Sequence, residues 1–163
     1  MYKVGDYVVY KREVCEVISI KEKEFMNMDY YVLVPISDNT LKIDVPVNNK
    51  MGYLRSLITK KEVEDIIKTI PNIKPIISTD RLIENEYRNL LNTNKHEDLI
   101  KIIKTTYLRN KERLDNNKKI GGKDDEYFKQ AEKYLYSEFS IVLGMSYDET
   151  RKYVIEKVKE IDG

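Results

Sequence analysis

The sequence predicts an α+β protein in two modules, a small antiparallel β-barrel followed by an all-α bundle of about four helices. Three observations lead there. Residues 1–58 carry short runs of Val, Ile and Tyr separated by turn residues. From Asp80 onward the apolar residues recur at helical spacing and nothing reads as a strand. Between these stretches, Pro71 and Pro75 punctuate a short apolar helix. The expected organisation is therefore residues 1–58, a β-module; 59–79, a short helix with a proline-containing connector; and 80–163, a helical module.

In the β-module the expected strands are Tyr7–Tyr10, 14–20, 30–35 and 41–46, with room for a fifth. Val17, Ile18 and Ile20, and then Leu41, Ile43 and Val45, follow the pattern of half-buried strands. Gly5-Asp6, Ser37-Asp38-Asn39 and Asn48-Asn49 supply turn chemistry. Four or five short strands in so few residues predict a curled barrel of SH3 or Tudor type.

Thr59-Lys60-Lys61-Glu62 is a capping box opening a helix that Pro71 ends. Asp80 is placed to cap a helix over 81–92. A longer helix runs over about 97–115, with Leu99, Ile102, Ile103, Thr106, Tyr107 and Leu114 on its buried stripe. That stripe brings Asn110 near the core, where it needs a hydrogen-bond partner. Asp124, Asp125 and Glu126 suit the first turn of the next helix, which buries Tyr127, Phe128, Ala131, Leu135, Phe139 and Val142 and stops at Gly144. Ser146-Tyr147-Asp148-Glu149 is a second capping box before the final helix.

Composition excludes several classes of function. The chain has 163 residues, one Cys (Cys15) and one His (His96), too few for an internal disulfide or a structural zinc site. No apolar run approaches the roughly 20 residues of a membrane span, and the start, Met1-Tyr2-Lys3-Val4, has no apolar signal core. The expected location is cytoplasmic. No Gly-rich phosphate loop, nucleophile elbow or H-E-x-x-H occurs. His96 reads as a surface residue without a nucleophile to serve, and Cys15 as an inert thiol in an apolar strand. The expectation is no enzyme activity, no cofactor, no metal and no small-molecule substrate.

Net charge is +1 overall, but the charge is uneven. Residues 101–123 hold eight Lys or Arg against Glu112 and Asp115, a net of +6. Lys101 lies opposite the buried stripe, Lys104 and Lys111 along one flank and Arg109 along the other. Such a face fits a phosphate backbone, and it equally fits an ordinary solvated helix. Around the barrel, Lys21, Lys23 and Phe25, with Lys42 and Asp44, fall on or near strands whose open edge can accept a partner strand or simply face solvent.

In order along the chain, Val4-Gly5-Asp6-Tyr7-Val8-Val9-Tyr10, Tyr30-Tyr31-Val32-Leu33, Leu41-Lys42-Ile43-Asp44-Val45-Pro46, Leu99-Ile100-Lys101-Ile102-Ile103-Lys104, Tyr107-Leu108-Arg109 and Ala131-Glu132-Lys133-Tyr134-Leu135 resemble the CarD family of bacterial transcription regulators. The N-terminal module is similar to the polymerase-interaction domain of transcription-repair coupling factor. The resemblance implies that Lys21, Lys23, Phe25, Lys42 and Asp44 bind the RNA polymerase β subunit. It also implies that the helical module lies on promoter DNA and tunes open-complex stability, the chain being nucleoid-associated through polymerase. The implied phosphate contacts are Arg81, Arg88, Lys101, Lys104, Arg109, Lys111, Arg113, Lys118 and Lys119. The family inserts a tryptophan into the minor groove. This sequence has none, so the wedge falls to Leu82 and Ile83, beside Glu84 and Glu86. The family's Pro-His-Gly-like loop is absent after Tyr10, and Asp44 stands where some members carry a basic residue.

Overall fold

A computed structural model describes residues 1–162, apart from the side chains of Glu24 and Phe25. The chain divides into two units, Met1–Ile58 and Thr59–Gly163.

The first unit is a five-stranded, wholly antiparallel sheet: β1 (Tyr7–Tyr10), β2 (Glu13–Phe25), β3 (Met28–Pro35), β4 (Ile43–Pro46) and β5 (Leu54–Ser56). The strand order is β4-β3-β2-β1-β5. No ladder joins β4 to β5, so the sheet is open where the sequence predicts a barrel. Strand β2 is also longer than expected. It runs on through Lys21 because Met26 and Asn27, at φ 53° and 59°, make a two-residue turn with both centres left-handed, returning Met28 opposite Phe25. Register shifts between Val17 and Ser19 and between Lys21 and Phe25 bend β2. One core gathers Val8, Cys15, Val17, Tyr31, Leu33, Val45 and Leu54. Asn49, itself at φ 50°, ties the β4–β5 connection by accepting from the Leu54 amide at 3.2 Å and donating to its carbonyl at 2.8 Å.

Among the described residues the second unit has five helices rather than about four: α1 (Lys60–Thr69), α2 (Ile83–Leu91), α3 (His96–Asp115), α4 (Gly122–Leu143) and α5 (Tyr147–Asp162). Helix α1 packs on α4 and α5 and so belongs to this unit instead of a connector. Its capping box is complete, with Glu62 N donating to Thr59 Oγ1 and Thr59 N to Glu62 Oε1, each at 3.1 Å. The Ser146–Glu149 box at α5 is complete too. Pro71 falls inside a 3-10 turn, Ile70–Asn72, that closes α1, and Gly144 ends α4 at φ 67°.

Two expectations are corrected. Asp80 does not cap α2, which starts at Ile83; the Thr79 carbonyl accepts instead from the amides of Leu82 and Ile83. The apolar stripe of α3 is buried only through its first half. Leu99, Ile102 and Thr106 are buried, but Tyr107 and Leu114 are 55% and 59% exposed. The last turns of α3 face α4 through their polar side, carrying Arg109 and Arg113, which turns the apolar stripe away from the core.

Cys15 is buried between β1 and β3, and burial pushes its thiol up to about 12. It should not react with a thiol reagent at pH 8 in the folded protein, and should react fully once urea unfolds the chain; rapid labelling of the native protein would contradict the burial.

Candidate nucleic-acid interface

The basic block begins on α3, but its cations do not share one task. Arg109 and Arg113 sit one turn apart on α3 and converge on Asp124, in the first turn of α4. Arg109 Nε donates to Asp124 Oδ2 at 2.9 Å and Arg113 Nη1 to the same oxygen at 2.6 Å. Tyr87 Oη of α2 donates to Asp124 Oδ1 at 2.7 Å. The Asp124 side chain is 4% exposed. Burial alone would raise its pKa, but the three donors outweigh that and hold it below the usual carboxylate value. Burial and the neighbouring Asp124 together push the Tyr87 hydroxyl up.

The outer side of Arg109 donates through Nη2 to Asp80 at 2.8 Å. Asn110 Oδ1 accepts from Arg113 Nη1 at 2.5 Å and from the Gly121 amide at 2.8 Å, which meets the need for a partner. The Arg113 guanidinium lies so close to Gly121 that an added Cβ would meet Nη1 at 2.3 Å. A side chain at 121 would push that guanidinium from its place, although the φ of −75° itself suits any residue.

Lys104 is also engaged within the unit. Its Nζ donates to the carbonyl of Ile73 at 2.7 Å and to that of Ile70, closing the backbone after α1. Burial lowers its pKa. Of the expected phosphate contacts, Lys104, Arg109 and Arg113 are therefore internal ties. Arg81, Lys101, Lys118 and Lys119 have no side-chain ion pair or hydrogen bond among the described residues, and all but the half-buried Lys101 are exposed. Arg88 and Lys111 make only exposed pairs within their own helices, Arg88 with Glu84 at 3.4 Å and Lys111 with Asp115 at 3.6 Å.

The expected wedge divides. Ile83 is 5% exposed and belongs to the core beneath α2, so it is not available to a base step, whereas Leu82 is 52% exposed. Its position as the residue before the helix leaves it outside the packed face. His96, read as a surface residue, instead packs inward. Its Nε2 lies 2.8 Å from Glu138 Oε1, and its ring stacks on Phe139. That pair and the Asp124 cluster are among the polar ties that sequence reading missed. A charged residue at a buried α4 position, Glu138 one before Phe139, is the one signal that pointed to the first.

In the first unit, Lys21 and Asp44 come together across β3, at 3.3 Å. Lys42 is exposed just before β4. Lys23, at φ 47°, is exposed, and its amide donates to Asp29. The side chain of Phe25 lies outside the described residues. Strand β4 is an edge of the sheet. No helix among the described residues is long and apolar enough to cross a membrane.

A scan against protein-family models gives no match, and no curated protein is significantly similar to the chain.

Asp124→Asn should destabilise the chain by about 3 kcal/mol, because two guanidinium groups lose their buried counter-charge. The pKa of Asp124 is depressed on folding, so its contribution is present above the unfolded value of about 3.9 and is lost as pH falls through the folded value. Urea melts should therefore show a steeper acid loss below about pH 4 in the parent than in the variant; identical profiles would remove Asp124 from that role.

Proposed function

We propose that this chain is a non-enzymatic, CarD-like transcription regulator that binds the RNA polymerase β subunit through its first unit and touches promoter DNA, with little base readout, through its second. The observation that carries the reading is the free edge of β4, with Asp44 and Lys42 exposed beside it. An edge strand offers unpaired backbone to a partner's sheet, and the flanking charges select the partner. The return of β5 to pair with β1, and the bends in β2, support an SH3- or Tudor-like module that curls without closing.

On the DNA side, the cations left available are Arg81, Arg88, Lys101, Lys111, Lys118 and Lys119. Their number suits a modest, salt-sensitive grip on phosphates. Tethering to polymerase raises the local concentration, so a weak DNA module suffices. Leu82 is the remaining apolar candidate for a groove contact.

A second reading, a protein–protein adaptor that keeps polymerase binding with little DNA binding, is favoured by the internal use of Lys104, Arg109 and Arg113 and by the burial of Ile83. Salt titration of the full chain on duplex DNA separates the two.

The Lys101→Glu/Lys111→Glu variant should weaken DNA binding and lower the log–log salt slope by about 2, while polymerase retention stays intact. On a promoter, the parent should change the lifetime of the polymerase open complex. Loss of polymerase retention by the parent, with an unaltered lifetime, sinks the proposal. Retention without DNA binding selects the adaptor.

A further inference from the structure

Half of the apolar stripe on α3 has nothing over it. Tyr107 is exposed where it leaves the core, and with Ile103, Phe128, Ile155 and Val158 it lines a trough of about 380 Å³ between α3, α4 and α5. A second hollow of about 220 Å³, lined by Leu114 and Ile120, continues from it and shares Tyr107 and Phe128. From Ile100 to Leu114 the trough follows α3 for about 21 Å at 1.5 Å per residue. An apolar trough of this length, open between helices, has the form of a groove that accepts a partner helix.

On the lining, cations outnumber carboxylates, Lys104, Arg151, Lys159 and Lys111 against Glu132 and Asp125, with Asp162 near Lys104. Lys104 and Lys159 stand on the lining of the first hollow and Lys111 on that of the second. The lining carboxylates are already neutralised: Glu132 accepts from Arg151 Nε at 3.1 Å, and Asp125 pairs with Lys129 at 2.9 Å. Lys111 has only its exposed partner Asp115. An apolar floor of this length with a cationic rim complements a helix that is apolar on one face and acidic along its flanks. It does not suit a nucleic acid, whose phosphates need donors across the floor itself.

We infer that the trough along α3 is a docking groove for an amphipathic, acid-flanked helix of a partner protein. This goes beyond polymerase and DNA binding, and uses a face that the phosphate-contact set shares only through Lys104 and Lys111. Tyr107 and Leu114 are the apolar anchors of the open half, and Lys111 and Lys159 fix the orientation.

The test uses the full chain and a fluorescent synthetic helix of about 16 residues, with leucine on one face and glutamate on both flanks. A companion peptide carries lysine in place of glutamate. In fluorescence anisotropy the acidic peptide should bind at least about tenfold more tightly than the basic one, and its affinity should fall with salt. Tyr107→Glu should weaken it by about tenfold or more, with an unchanged thermal melt, since Tyr107 is exposed. Lys111→Glu/Lys159→Glu should narrow the difference between the peptides. Absent binding, equal affinity for both peptides, or indifference to Tyr107→Glu overturns the inference. Sedimentation that shows a dimer of the free chain, lost in Tyr107→Glu, assigns the groove to a second copy and overturns it as well.

Discussion

Asp124 holds three helices of the second unit to one point. Tyr87 reaches it from α2, Arg109 and Arg113 from α3, and the residue itself opens α4. A carboxylate with almost no access to water is tolerable only when its lone pairs are filled by well-placed donors. Here two guanidinium groups and a phenol do so, at 2.6 to 2.9 Å. The geometry around this point follows. Gly121 leaves room for the Arg113 guanidinium, Asn110 bridges that guanidinium to the turn before α4, and Asp80 takes the outer face of Arg109.

The arrangement changes what the local charge means. A net of +6 over residues 101–123 suggests a strong anion surface. Yet the two arginines nearest its centre are committed to a buried aspartate just beyond the window, and Lys104 is committed to backbone carbonyls. The charges not committed inside the unit are chiefly those of Lys101, Lys111, Lys118 and Lys119. A charge count measures net field; it does not measure how many charges are free to exchange counterions for phosphate.

Two features of the fold are left open to partners, and they differ in chemistry. The β4 edge offers backbone hydrogen-bonding groups with a few charged side chains around them. The α3 trough offers apolar area with a basic rim. The first suits strand addition and the second suits a helix. In the proposed reading these two surfaces meet the partners, while the interior of the helical unit holds α2, α3 and α4 together.

Local chemistry determined much of this protein from sequence alone. The Thr59 and Ser146 capping boxes, the stop at Gly144 and the break after α2 all depend on neighbouring residues, and all are present. So does the order of strands followed by helices. Openness of the sheet, the length of β2 past Lys21 and the inclusion of α1 in the helical unit were decided by tertiary structure, because each depends on what packs against an element. The same holds for the site. Arg109 and Arg113 look like Lys101 in a list of residues, and Ile83 looks like Leu82. What separates them is a carboxylate 11 and 15 positions away in sequence and a core that accepts one of two adjacent apolar side chains. Periodicity predicts which residues share a face. It does not say how much of that face the rest of the chain will cover, and for α3 the covered part ends near Tyr107.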